Sequence, residues 1–122
     1  WAMLPSSAIP TAAQATTFEK EALKKVGLLD SQIPPRYFTS YFNHVWGGGY
    51  AAGYYSYLWT EVLADNIAMT FKEEGALKRT TGDEFRDKIL SRCYTVDLMK
   101  AFSSFTGLQQ PDAQALLKMR GL

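Results

Sequence analysis

Residues 50–74 are patterned as one helix, and their apolar side chains leave almost no polar face. At roughly 100° per residue, Tyr50, Tyr54 and Tyr57 fall on one side, because they are spaced four and then three apart. Tyr55, Leu58, Val62 and Met69 share a second side, and Trp59, Leu63 and Ile67 spread further round. A helix that is apolar on nearly every side belongs inside a larger protein, not on the skin of a small one. Gly75 is its natural stop.

The rest of the chain predicts shorter helices around this one, and the fold class is all-α. A helix over residues 12–25 can start at either of two capping boxes, Thr11-x-x-Gln14 or Thr16-x-x-Glu19, and Gly27 ends it. Residues 28–49 read as a long ordered loop before the central helix, since Pro34-Pro35 forbids helix and biases Ile33 to extended geometry. A loop of that length, carrying the aromatic run Tyr37-Phe38-Thr39-Ser40-Tyr41-Phe42, is unusual unless it is functional or packed. Thr81-x-x-Glu84 predicts a capped helix to about Cys93, with Phe85, Ile89 and Cys93 in line. Thr95 is placed to cap a helix that repeats Leu98, Phe102 and Phe105 before Gly107. Pro111 suits the first position of a last helix holding Leu116 and Leu117. No alternating run predicts a strand.

Composition supplies the next constraint. Seven Phe, seven Tyr and three Trp in 122 residues exceed what so small an interior can bury. Some of this surface is therefore expected to face protein beyond the chain. The opening Trp1-Ala2-Met3-Leu4-Pro5 has neither an initiator Met nor signal-peptide character, so Trp1 reads as an interior residue of a longer protein. Thirteen basic and twelve acidic residues give a net charge of +1, with no basic stripe for nucleic acid. The apolar stretch around residues 45–59 is broken by glycines and polar residues too soon to span a membrane. A single Cys fits a reducing, cytoplasmic setting.

Chemistry concentrates in His44-Val45-Trp46-Gly47-Gly48-Gly49-Tyr50-Ala51-Ala52-Gly53-Tyr54-Tyr55-Ser56-Tyr57. Three successive glycines let backbone approach a ligand closely. Tyrosine hydroxyls following them can donate to a peptide carbonyl or a developing oxyanion while staying neutral, and amides at a helix start favour a bound carboxylate. Other readings are open on these residues alone. A glycine run is often a connector, a tyrosine stripe is often packing, and a histidine among aromatics is often structural. The spacing of neither a dinucleotide site nor a phosphate loop is present.

This segment resembles the C-terminal part of the M3 family of zinc metallopeptidases, the thimet oligopeptidase-like enzymes. Pro34-Pro35-Arg36-Tyr37, Ser40-Tyr41-Phe42 and His44 to Tyr55 are most similar to the peptidyl-dipeptidase (dipeptidyl carboxypeptidase) branch. The likeness continues through Tyr57-Leu58-Trp59, Leu63-Ala64-Asp65, Glu73-Glu74-Gly75, Ile89-Leu90-Ser91-Arg92 and Arg120-Gly121-Leu122. The resemblance implies a helical, clam-like catalytic domain enclosing a channel, of which residues 1–122 are a C-terminal piece. It implies one zinc ion held by a His-Glu-x-x-His helix and a downstream Glu. No such motif can be written here, so the zinc is expected on the missing part of the parent protein, and no metal ligand is assigned in this chain.

What the resemblance carries over is the opposite wall of the cleft. Tyr57 matches the tyrosine that stabilises the oxyanion. His44 and Tyr50 match residues that contact the peptide backbone, with Tyr54 beside them. Gly47, Gly48 and Gly49 match a loop that adjusts on closure, and Arg36 is a candidate charged contact. Short peptides are the implied substrates, with neither nucleic acid nor membrane as partner. The chain alone is expected to be inactive, and to self-associate or require the rest of the domain. The competing reading is a non-catalytic, aromatic-rich helical module that binds peptides or proteins.

Overall fold

The computed structural model describes residues 4–122, so the expectation for Trp1 lies outside the described residues. Six α-helices occur among them and no strand: α1 (Ala15–Lys25), α2 (Asn43–Trp46), α3 (Ser56–Glu74), α4 (Arg79–Phe85), α5 (Leu98–Thr106) and α6 (Ala113–Arg120). The all-α expectation holds. The chain forms two units, Trp1–Tyr54 and Tyr55–Leu122.

In the first unit a short 3₁₀ turn, Ala12–Gln14, leads into α1. Of the two capping boxes, the one at Thr11 forms: its amide donates to the Gln14 side chain at 3.0 Å. Glu19 is thereby released from capping, and its carboxylate instead accepts from the amide and hydroxyl of Thr39. Helix α1 ends at Gly27, whose φ of +75° lets Leu28 donate to Leu23 (2.9 Å) and Gly27 to Lys24 (3.1 Å). Those two bonds satisfy carbonyls that the helix leaves orphaned. The predicted loop 28–49 is not wholly irregular. It contains the 3₁₀ turn Thr39–Tyr41 and the single turn α2.

In the second unit, α3 and α6 run antiparallel. Asn66, in the middle of α3, donates to the carbonyl of Asp112 at 2.9 Å and accepts from its amide at 3.3 Å. Glu61, earlier in α3, receives Arg120 at 2.8 Å on both carboxylate oxygens, at the far end of α6. Asn66 is 3% exposed, so its amide has to be fully paired, and these bonds together with one to the Val62 carbonyl achieve that. Phe71, Phe85 and Phe105 close a triangle with ring centroids 5.3–5.6 Å apart. Phe105 joins Ala101, Phe102, Ala115 and Leu116 as the buried core.

Five boundaries differ from the sequence-based expectation. The central helix begins at Ser56 and not at Tyr50, because residues 50–55 turn, with the Gly53 amide bonded to the Tyr50 carbonyl at 3.1 Å. Thr81 does not cap. Helix α4 starts at Arg79, Thr81 is buried within it, and Glu84 pairs forward with Lys88 at 2.7 Å in place of reaching back. Beyond Phe85 the chain widens into a π-turn over Arg86–Leu90, closed by the Ser91 amide on the Arg86 carbonyl. The helical line to Cys93 is thus broken, and Cys93 is exposed with φ +46°. Asp97, not Thr95, caps α5, and Asp112 caps α6, leaving Pro111 one residue before the cap. Carboxylates accept amide bonds at these positions as well as any residue does.

Candidate functional site

Glycine placement builds the first half of the site. Helix α2 is one turn long and ends as Gly47 donates to the Asn43 carbonyl at 2.6 Å. The three glycines then reverse the chain, and each has its own reason to be glycine. A Cβ on Gly47 would meet the Asn43 side chain at 2.7 Å, a group able to rotate away, and the Asn43 backbone carbonyl at a tight 3.2 Å. A Cβ on Gly48 would sit 2.5 Å from the His44 backbone carbonyl, which cannot. Gly49 meets nothing but has φ +79°, where a side chain is strained.

That reversal returns Tyr50 over the helix turn it has just left. The His44 and Tyr50 rings stack with centroids 4.7 Å apart and 26° between planes. Tyr54 sets an edge against both, 6.2 Å from His44 and 6.4 Å from Tyr50. Phe42 meets Tyr54 edge-on at 4.7 Å and Tyr37 at 5.0 Å, and the Arg36 guanidinium lies over the Tyr37 ring at 5.6 Å. Offset and edge contacts of this kind each add about 0.5–1.5 kcal/mol beyond burial. The cluster therefore orders these rings although residues 50–55 are not helical.

His44, Tyr50 and Tyr54 are thus brought together as a set, and Arg36 is connected to it through Tyr37 and Phe42. Tyr57 lies in the second unit, at the second residue of α3. The expected stripe of Tyr50, Tyr54 and Tyr57 on one helix face is overturned, because α3 begins only at Ser56. The same boundary means that the amides after the glycine turn do not form a helix start. Two participants were missed in the sequence. Phe42 bridges Tyr37 to Tyr54, and Trp46 donates its indole N–H to the Thr39 carbonyl at 2.8 Å. Both lie in or beside the aromatic run, whose lack of any period hid which rings would meet.

Gly48→Ala is expected to unstack His44 from Tyr50 and to lower unfolding free energy by about 1–3 kcal/mol, as forced overpacking does. Urea unfolding checks this, with Gly53→Ala as control. Gly53 has nothing within 4 Å of the added methyl, so its change is expected within about 0.5 kcal/mol. Equal effects at the two positions would rule out a steric cause.

Among the described residues, no group of three His, Cys, Asp or Glu side chains gathers as a metal site. No helix among them is long and apolar enough to cross a membrane. The hydrogen bond from Arg79 holds the Asp83 carboxyl below its ordinary range, in a pair open to solvent that contributes little to stability.

Comparison with known proteins identifies the family. Peptidase family M3 matches residues 6–122. The dipeptidyl carboxypeptidase of Salmonella typhimurium is 44% identical over 122 residues, all of this chain and 18% of that protein. The dipeptidyl carboxypeptidase of Escherichia coli is 47% identical over 105 residues, 86% of this chain and 15% of that protein. Oligopeptidase A of Salmonella typhimurium is 42% identical over 102 residues, 84% of this chain and 15% of that protein. The chain spans less than a fifth of the length of these relatives.

Proposed function

The chain belongs to peptidase family M3, and from that premise we propose that it forms the C-terminal, substrate-facing part of the catalytic domain of a zinc-dependent oligopeptidase. The observation that carries this reading is the His44–Tyr50–Tyr54 cluster held over Gly47-Gly48-Gly49. It offers an imidazole and two phenols, donors suited to the backbone carbonyls of an extended peptide. Arg36 supplies a cation beside them. Preference for releasing dipeptides is supported by Trp46-Gly47-Gly48-Gly49-Tyr50 and by the two relatives named dipeptidyl carboxypeptidase. Cytoplasmic location fits the single Cys.

The chemistry assigned to this chain is binding and charge stabilisation. His44, Tyr50 and Tyr54 hold the peptide backbone, and Arg36 contributes a charged contact. The Tyr57 hydroxyl donates to the scissile carbonyl, and that bond strengthens as the oxygen gains negative charge. The glycines let the loop adjust to different short peptides. These residues do not by themselves make a zinc site: among the described residues no group of three His, Cys, Asp or Glu side chains gathers as ligands. Zinc, which in such an enzyme would activate the attacking water, is assigned to residues outside this chain.

The test compares the chain with the longer protein that carries it. The isolated 122-residue chain is expected to bind no stoichiometric zinc and to cleave no peptide, whereas the longer protein does both. Tight zinc binding or robust hydrolysis by the chain alone overturns this division of labour. The exposure of Tyr55, Leu58 and Trp59, each at least half open around the start of α3, favours a second reading for the isolated chain, association with itself or with the rest of the domain. A monodisperse monomer by light scattering that titrates with peptide unaided would point instead to a free-standing binding module.

A further inference from the structure

We infer that Glu19 is a positioning residue for the His44 cluster, acting through Thr39 and Trp46. This role rests on the proposed function, in which that cluster holds the peptide.

Thr39 is a node at which all three of its polar groups are spent. Its amide (2.5 Å) and its hydroxyl (2.6 Å) both donate to Oε2 of Glu19, twenty residues earlier in α1. Its carbonyl accepts the indole N–H of Trp46 at 2.8 Å. Trp46 is the last residue of α2, and His44 is the second of that same single turn. A continuous path of three hydrogen bonds thus runs from α1 to the helical turn that carries His44.

The physical need for such an anchor is plain. A helix of one turn is not stable by itself, because nucleation costs more than one hydrogen bond returns. A largely irregular stretch from Leu28 leads into α2 and a triple-glycine reversal leads out of it, so neither flank holds it by local structure. Helix α1, with 11 residues and a closed C-terminus, is the longest ordered element in this unit. Charge-assisted bonds are the strong kind, and two converging on one oxygen fix orientation as well as distance. Gln at this position keeps an acceptor oxygen for both donors, whereas Ala keeps none.

His44 is the only histidine of the chain, so its ring gives a single set of imidazole proton resonances. In the 122-residue chain, stacking on Tyr50 displaces those resonances by ring current. Glu19→Ala and Trp46→Phe cut the path at opposite ends, and each is expected to return the His44 signals toward the values of free histidine. Glu19→Gln is expected to leave them in place. Signals unmoved in both cutting variants overturn the inference. Should Glu19→Ala fail to fold, Trp46→Phe decides alone.

In the longer protein, Glu19→Ala is expected to raise KM roughly tenfold, the scale of one lost charged hydrogen bond, with kcat nearly unchanged. Adding Glu19→Ala to His44→Ala should then cost nothing more. A fall in kcat alone, or fully additive losses, also overturns the inference. Absence of peptide hydrolysis by the unsubstituted longer protein sinks the peptidase reading instead, and the resonance test still decides on Glu19.

Discussion

Under the proposed function, Tyr57→Phe in the longer protein is expected to lower kcat about a hundredfold, with KM within a few-fold of its original value. The size of the effect depends on where the phenol donates. A carbonyl oxygen accepts a modest hydrogen bond in the bound substrate and a much stronger one once it carries negative charge. Removing the donor therefore costs about 2.7 kcal/mol in the transition state, the usual scale for one oxyanion donor, and little in the ground state. Phe preserves the ring on α3, where Tyr57 is 46% exposed. Steady-state kinetics on a short peptide decides the matter. An unchanged kcat takes the oxyanion role from Tyr57, and a pure KM effect moves it into the group of binding residues with His44.

The second large effect is on stability. Phe105→Ala is expected to cost about 3–5 kcal/mol of unfolding free energy. Phe105 is 8% exposed and touches both Phe71 and Phe85, so its loss opens a cavity between three elements that no single neighbour can fill. A small domain holds only about 5–15 kcal/mol in total, so much of the margin goes with this one ring. Chemical denaturation of the chain measures it, with Tyr94→Ala as control. Tyr94 is 91% exposed, and its replacement should change stability by no more than about 0.5 kcal/mol. A loss at Phe105 no larger than at Tyr94 would show that the aromatic triangle is not the core of this unit.

Expectation and structure agree where a residue's own backbone chemistry decides. Gly27, Gly75 and Gly107 end their helices with positive φ, as their positions suggested. Pro34-Pro35 keeps its stretch free of helix. Leu98, Phe102 and Phe105 repeat along α5, with Phe102 and Phe105 buried. Disagreement arises where two local solutions compete. Thr16-x-x-Glu19 and Thr81-x-x-Glu84 are both sound capping boxes, yet neither forms, because Glu19 finds Thr39 and Glu84 finds Lys88. A tyrosine stripe at helical spacing was equally sound, and it fails because residues 50–55 turn, with the Gly53 amide on the Tyr50 carbonyl, before α3 begins at Ser56.

The all-α class and the helix stops at Gly27, Gly75 and Gly107 were therefore properties of the sequence by itself. Propensity, cap chemistry and φ are decided within a few residues, and such information is written locally. The triple glycine is the clearest case, since a close His44 carbonyl and a positive φ in succession both call for a residue without a side chain. Only the tertiary structure decided that Glu19 holds Thr39 across twenty residues, and that Asn66 clasps Asp112 across forty-six. It alone stacked His44 on Tyr50 and placed Phe42 between Tyr37 and Tyr54. Contacts of that range depend on which surfaces the chain brings together after its helices form. No periodicity of residue types records that choice.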